Sequence, residues 1–407
     1  KLDAIDELIR QKRYDEALES ALEFTRERPK VAEGWEYLAE IADKQQDCFS
    51  LWKAARTLTQ LEPHEDAFAF NLAYAAMSME CVFLSRQSLD NYLKRFPNGN
   101  MLKQVTDMKS AVDLSIQDLI TKGEVSATVN IDDMATFELG RFLTVYGDSV
   151  EGRRLSLQAA RNMPDFPSPL NNVCLSYVID GDLTKALQTS DDILAKYPDN
   201  VFARSTKAQV LVKLGRPDEA QALIEGLSQE TPTNLDYWVK IMESCAYAHD
   251  HQRVIEVYER AKLTLKAQHL PMDPTMHYFA GAAYAFLGDE KKAQAEWKQV
   301  PNNHPNSENA RANLREFRQH GAWYFDFTTW IPRRWIQNVI TAIERGIRRS
   351  EEAVKREIER LVTNTPGFEA SVSLLLEYGD PNSLEFALQL AQYYPLPSLA
   401  NFAKSRR

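Results

Sequence analysis

The chain has 407 residues, 44% of them hydrophobic and 26% charged, a composition typical of folded proteins and unlike that of collagen-like or disordered chains. Its net charge of -10 argues against nucleic acid as the main partner, because phosphate binding needs a concentrated basic surface. No stretch has the uninterrupted apolar length of a membrane-spanning helix.

Prolines recur at a fixed spacing through the first three quarters of the chain. They are Pro29, Pro63, Pro97, Pro164, Pro198, Pro232, Pro271 and Pro305. Successive members are 34 residues apart, except for a double step of 67 after the third and a step of 39 after the sixth. Proline ends a helix because it lacks an N–H and clashes with the preceding turn. The period therefore predicts a repeated unit of two helices joined by a tight turn.

Small residues lie at fixed offsets within this period. In the unit that ends at Pro305, Gly281 lies on the first helix, Gly288 in the turn and Ala293 on the second helix. This pattern resembles the tetratricopeptide repeat, and the resemblance covers roughly residues 1–320. It implies an all-α fold, a right-handed superhelical solenoid of helix hairpins with a C-terminal helical cap. In such proteins the first helix of each hairpin lines a concave groove that binds peptides or helices of other proteins.

In chain order, the repeat pattern predicts four segments. Residues 1–98 hold repeats one to three, and residues 99–131 form a degenerate unit with one long helix, because Met101 to Thr121 contain no turn signal. Residues 132–320 hold repeats five to nine. Residues 321–407 comprise an aromatic-rich linker, a long amphipathic helix from Pro332 to about Val362, and a helical cap.

The family resemblance also implies which residues face the groove: about positions 2, 5, 9 and 12 of each unit, counting the terminal proline as 32. The predicted partner-binding residues are Glu33, Glu36, Glu40, Asp43, Phe70, Tyr74, Glu138, Arg141, Asn171 and Tyr278. The four acids of the second unit share one stripe beside apolar positions of the third. This arrangement would suit a basic, partly apolar segment, and the alternative is a merely solvated face.

The C-terminal quarter begins with a cluster of aromatic and basic residues. One hypothesis is a cap, in which the aromatic side chains pack on the last repeat. The other is docking to a partner or an anionic membrane surface, since a basic amphipathic helix with tryptophans can do both. The residues assigned to docking are Trp323, Trp330, Arg333, Arg334, Trp335 and Arg345.

The sequence contains no motif for catalysis or cofactor binding, so we expect neither an enzyme nor a bound cofactor. His249 and His251 form the only close histidine pair; no further ligand adjoins them, and a solvated turn rather than a metal site is expected. The spacing of the four cysteines is unlike that of zinc ligands; they are Cys48, Cys81, Cys174 and Cys245. We expect them to be reduced core residues in a cytoplasmic protein.

Three functions remain open on this evidence. The leading hypothesis is a protein-interaction scaffold or adaptor that binds a peptide or helical segment of a partner in the concave groove. The second is a regulatory or targeting module of a larger enzyme complex, because the chain begins at Lys1 without Met or a signal segment and is expected to begin inside a longer polypeptide. The third is a peripheral membrane assembly factor anchored through residues 323–349. RNA binding is disfavoured by the acidic charge.

Overall fold

The computed structural model describes residues 1–146, 148–347 and 350–405, and within these ranges the regular structure consists of α-helices without strands. Contacts divide the chain into two compact units, unit 1 (Lys1–Asn172) and unit 2 (Val173–Arg407). The all-α prediction is confirmed. The division into four segments is not tested by this arrangement and stays a prediction.

The first twelve helices are α1 (Leu2–Arg10), α2 (Tyr14–Glu27), α3 (Ala32–Gln45), α4 (Cys48–Leu61), α5 (Asp66–Ser78), α6 (Val82–Arg95), α7 (Leu102–Thr121), α8 (Ile131–Tyr146), α9 (Ser149–Asn162), α10 (Ser168–Asp180), α11 (Leu183–Lys196) and α12 (Val201–Lys213). The remaining helices are α13 (Pro217–Ser228), α14 (Leu235–Tyr247), α15 (His251–Ala267), α16 (Pro274–Phe286), α17 (Glu290–Trp297), α18 (Ser307–His320), α19 (Phe327–Trp330), α20 (Arg333–Ile347), α21 (Glu351–Thr363), α22 (Phe368–Tyr378), α23 (Asn382–Ala391) and α24 (Pro397–Ser405).

The proline period coincides with helix ends. Helices α2, α4, α6, α9 and α11 each end two residues before a proline of the series. The second helix of a repeat often begins after an aspartate whose carboxylate accepts a hydrogen bond from a backbone N–H two or three residues further on. These capping residues are Asp47, Asp148, Asp182, Asp250 and Asp289. Each such cap stabilises a helix by about 0.5–2 kcal/mol, so an aspartate fixes the start of the second helix and a proline follows its end.

Small residues allow the two helices of a hairpin to cross closely. Helices α8 and α9 show this best: a Cβ on Gly140 would lie 2.9 Å from the Ser156 hydroxyl, and one on Gly152 would lie 2.4 Å from the Thr144 hydroxyl. Large side chains fill the layers between hairpins, as Trp238 and Trp297 do in the core of unit 2. Substitution of either glycine would therefore push its hairpin apart.

The long helix predicted for Met101 to Thr121 is present as α7, without an internal turn. The long helix predicted from Pro332 to Val362 is wrong, because the chain forms α20 and α21 instead. Ser350 has an extended backbone and its hydroxyl accepts a hydrogen bond from the Ala353 amide at 3.2 Å, which starts a new helix. The apolar spacing of three and four residues continues across the break and conceals it.

Candidate partner-binding surfaces

An open cavity of about 520 Å³ lies on the repeats of unit 1. We call it the acidic groove; its lining includes Glu33, Glu36, Tyr37, Glu40, Asp43, Phe68, Asn71 and Tyr74, with Leu51, Ala55 and Leu58 of α4. The acids come from α3, where steps of three and four residues place them on one helix face. Helix α5 supplies the facing aromatic residues. The structure therefore brings together the four predicted acids and Tyr74.

The charges of the acidic groove are largely unneutralised. Glu33, Glu36 and Glu40 are exposed and form no ion pair with another residue in the described ranges. Asp43 accepts a hydrogen bond from the Tyr74 hydroxyl at 3.1 Å, and this bond raises the pKa of Tyr74. The pKa of Tyr37 is raised by partial burial and by the nearby carboxylates of α1. The groove thus combines a negative rim with an apolar floor.

Phe70 lies outside this cavity, half-buried against the core of unit 1. Asn171 is half-buried on α10. Arg141 is exposed on α8, away from the residues that line the acidic groove. Partner binding by any of these residues stays a prediction.

Glu138 is not on an open surface, contrary to expectation. Its side chain is buried, and its carboxylate accepts a hydrogen bond from the Leu84 amide at 2.9 Å, at the first turn of α6. Cys81 at the N-cap of α6 has no side-chain cap, so Glu138 supplies the missing acceptor from α8. Burial raises the pKa of Glu138 to about 7. The only sequence signal was the lack of a capping side chain before α6.

Tyr278 is likewise buried rather than groove-lining. It holds the predicted position on α16, but its hydroxyl donates to the carbonyl of Trp323 at 3.1 Å. The C-terminal aromatic residues therefore cover the surface on which a partner was expected in this repeat. No periodic signal in the sequence showed this, because the covering residues lie beyond the last repeat.

The three tryptophans assigned to docking are buried within unit 2. Trp323, Trp330 and Trp335 are 2%, 3% and 7% exposed, so they do not project towards a membrane or a partner. The physical reason is that unit 2 offers them aromatic neighbours, including Tyr247 beside Trp330 and Phe368 beside Trp335. The cap hypothesis accounts for these contacts. The side chains of Arg333, Arg334 and Arg345 lie outside the described residues.

The histidine pair is part of an aromatic cluster. The ring of His249 stacks on Tyr378 with centroids 3.5 Å apart, and burial lowers the pKa of His249 to about 3. His251 stacks on Phe286 at 4.2 Å. Among the described residues no group of three or more His, Cys, Asp or Glu side chains could hold a metal ion. In the same ranges, none of the helices has the length and apolarity needed to cross a membrane.

Comparison with known proteins finds a matching family model and two relatives with the same name. A family model described as the N-terminal TPR repeats region of Psidin matches residues 177–304. The phagocyte signaling-impaired protein of Drosophila pseudoobscura pseudoobscura is 28% identical over 182 residues, which are 44% of this chain and 16% of that protein. The protein of the same name from Aedes aegypti is 45% identical over 53 residues, 13% of this chain and 6% of that protein. The chain thus spans a small part of the length of these relatives.

Solved structures of repeat proteins are also similar. A tetratricopeptide repeat protein from Parabacteroides merdae is 14% identical, with 70% of this chain and 97% of that chain covered, at a TM-score of 0.40. Yeast Tom70 is 11% identical, with 99% and 93% covered, at a TM-score of 0.32. The match of the family model and the 34-residue proline period identify the same kind of repeat.

Proposed function

Since the chain belongs to the tetratricopeptide-repeat family, we propose that it is a protein-interaction scaffold whose acidic groove binds a basic, partly apolar segment of a partner protein. The observation that carries this proposal is the cavity of about 520 Å³ whose rim holds four carboxylates and whose floor is apolar. Glu33, Glu36 and Glu40 form no ion pair in the described ranges, so lysine or arginine side chains of a partner would relieve their mutual repulsion.

The chemistry of the groove specifies the ligand further. Exposed ion pairs contribute only about 0.2–1 kcal/mol each. The carboxylates alone therefore raise the association rate and the selectivity for cationic partners but do not give tight binding. Burial of apolar side chains on Tyr37, Ala39, Phe68 and Tyr74, which line the groove and keep accessible surface, would supply the remainder. The expected ligand therefore alternates cationic side chains, spaced to meet the acids of α3, with apolar ones that reach the floor.

The test is a binding measurement on a charge-reversed groove. A fluorescein-labelled peptide with Lys and Leu at three- and four-residue spacing is titrated with wild type and with Glu36→Lys/Glu40→Lys, and anisotropy is recorded. We expect the variant to weaken binding roughly tenfold or more, as two lost attractions become two repulsions.

The matched control is Glu19→Lys/Asp107→Lys, which changes the net charge equally at exposed positions outside the groove. We expect this control to keep wild-type affinity within about twofold once salt screens long-range attraction. Equal weakening by both double variants would mean that net charge alone attracts the peptide, and the proposal would be abandoned.

A second candidate function is a regulatory or targeting module of a larger enzyme complex. The supporting observation is that the matched segment makes up 16% of the length of the Drosophila relative. Purification of the full-length protein from its own cells checks this: a stoichiometric catalytic subunit is expected, and its absence would exclude the candidate. A cytoplasmic location is proposed for either function, supported by the free thiols of Cys48, Cys81, Cys174 and Cys245.

A further inference from the structure

Residues 322–332, here called the aromatic segment, lie against the repeats of unit 2 in a way that resembles a bound peptide. Most of the segment is irregular, with a single helical turn at α19. We propose that the repeats of unit 2 form a second peptide-binding site, specific for extended aromatic-rich peptides, which the aromatic segment occupies as a displaceable ligand of the same chain. This site is separate from the acidic groove and does not depend on it.

The backbone of the segment is held by side chains of the repeats. Asn313, fully buried on α18, donates its amide N–H to the carbonyl of Trp323 at 3.1 Å and accepts from the Trp323 amide at 3.2 Å. The Tyr278 hydroxyl donates to the same carbonyl. A site that binds both backbone polar groups of one residue recognises extended backbone whatever its side chains are, which is how grooves hold peptides.

Lys213 binds the other end of the segment. It is 4% exposed on α12, and its ammonium donates to the carbonyl of Thr329 at 2.5 Å, between the rings of Tyr247 and Trp330 at 5.8 and 5.9 Å. It forms no ion pair with a carboxylate in the described ranges. Burial of an ammonium that has no ion pair is costly, and the Thr329 carbonyl and the two rings offset part of that cost. The arrangement fits a polar binding surface that a ligand has covered.

Aromatic pockets receive the side chains between these two ends. Phe325 packs on Tyr247 with centroids 4.3 Å apart, and the Tyr324 hydroxyl lies 2.8 Å from Nδ1 of His251. Pro332 lies against Gly181, whose added Cβ would be 2.6 Å from the proline ring. The contacts thus continue over successive repeats of unit 2, as expected for a groove and its ligand.

The fit of the segment is incomplete. The indole N–H groups of Trp323 and Trp330 are buried without an acceptor among the described residues, and so are both ring nitrogens of His249. Unpaired indole N–H groups also occur in the repeats themselves, at Trp238 and Trp297, so the ring of His249 is the group that bears on the fit. His249 belongs to the repeats, so a peptide that hydrogen-bonded its ring would make a contact that the segment does not make and would displace the segment.

The test uses the full chain and a fluorescein-labelled synthetic peptide with the sequence of residues 321–333. The variant Phe325→Ala/Trp330→Ala weakens the segment and leaves the repeats intact. We expect it to bind the peptide at least tenfold more tightly than wild type, where the tethered segment competes at an effective concentration on the order of millimolar. Adding Asn313→Ala to this variant should abolish the gain. Glu36→Lys/Glu40→Lys, which tests the acidic groove, should leave it unchanged.

A folded double variant that binds no better than wild type would overturn the proposal. If the double variant unfolds by circular dichroism, Gly181→Ala, whose Cβ displaces Pro332, replaces it. Its control is Gly288→Ala, which has the same left-handed backbone but no atom near the added Cβ. Tighter peptide binding by Gly181→Ala alone supports the proposal; equal binding by the two glycine variants makes the segment a permanent part of the core.

Discussion

The two units use the same repeat position in opposite ways. Glu36 and Tyr278 both lie 27 residues before the terminal proline of their repeat, Pro63 and Pro305. Glu36 is exposed in the acidic groove, whereas Tyr278 is buried and hydrogen-bonded to Trp323. A position in the repeat decides which way a side chain points, but not whether that surface is open. The chemistry of the face and the availability of a covering segment decide that.

The acidic groove could not accept a segment like residues 322–332. Covering Glu33, Glu36 and Glu40 with aromatic rings would bury carboxylates without partners, and this costs more than the apolar contact gains. The face of unit 2 instead presents tyrosine and asparagine, which pair with a backbone at little cost, and Lys213, whose ammonium donates to a backbone carbonyl of the aromatic segment. One array can therefore hold an open acidic surface and a filled aromatic one.

Substitution by alanine at the repeat position shared by Glu36 and Tyr278 has the largest expected effect on the free energy of unfolding. Tyr278→Ala removes a buried ring and its hydrogen bond, and should lower the free energy of unfolding by about 3–5 kcal/mol. Glu36→Ala should change it by no more than about 0.5 kcal/mol, since the side chain is exposed. Urea denaturation of both variants measures the difference. Similar losses for the two would show that the two faces are equally covered.

Glu138 gives the next largest effect, within unit 1. Glu138→Ala leaves the first N–H groups of α6 without their buried acceptor and should cost about 1–3 kcal/mol. Glu138→Gln keeps an acceptor and should cost less. Its pKa is about 7 in the folded chain against an ordinary 4.5, so the folded state binds the proton more tightly. The contribution of Glu138 to the free energy of unfolding therefore falls as the pH rises from about 4.5 to 7. Urea denaturation of wild type and Glu138→Gln at both pH values measures this fall.

The histidine cluster of unit 2 should respond to pH in the opposite direction. Burial lowers the pKa of His249 to about 3, below its ordinary 6.5, so the folded state resists protonation. The groups facing it are His251, whose pKa burial also lowers, and the rings of Tyr324 and Tyr378. Asp250 adjoins it in sequence. The contribution of His249 to the free energy of unfolding has its full value above pH 6.5. It declines towards pH 3 by roughly 1 kcal/mol per pH unit.

Hydrogen exchange of residues 322–332 at pH 5 and pH 7.5, corrected for intrinsic rates, measures this decline. We expect faster opening at pH 5 in wild type. The control is His249→Asn, since asparagine tolerates the left-handed backbone of this position, with φ of 53°, and does not titrate. An acid-induced opening that persists unchanged in this variant would assign the effect to other groups.

The smallest expected effect is on stability at the acidic groove. Glu36→Lys/Glu40→Lys changes only exposed side chains, so the unfolding free energy should stay within about 0.5 kcal/mol of wild type. Thermal unfolding by circular dichroism checks this. A large loss of stability would mean that the groove acids support the fold. Weaker peptide binding by this variant would then reflect unfolding rather than the loss of charge contacts with the peptide.

The repeats were predictable because each one carries its own local signals. Prolines that follow a helix end and small residues at turns and helix crossings depend on neighbours in sequence, so the period showed them. The acidic groove followed from that register, with Glu33 to Asp43 on one helix face. The burial of Tyr278 did not, because it depends on residues 45 positions further along the chain. Glu138 was misplaced for the same reason, since its partner Leu84 is 54 residues away.

The helix break marked by the extended backbone of Ser350 escaped prediction for a different reason. Apolar residues continue at helical spacing on both sides of it, and periodicity reports a helix face rather than helix continuity. A serine hydroxyl that caps α21 was the available signal, and it is weak where glutamates and arginines surround it. Long-range pairing and helix interruption are thus the features that a single repeat pattern does not contain.

Hydroxyl-radical footprinting of the wild-type chain, read by mass spectrometry, tests most directly whether one repeat face is open and the other filled. Tyr74 of the acidic groove is 41% exposed, whereas Tyr278 and Trp330 of unit 2 are 1% and 3% exposed. The expected result is rapid oxidation of Tyr74 with protection of Tyr278 and Trp330. Oxidation of Tyr278 and Trp330 as fast as that of Tyr74 would contradict it.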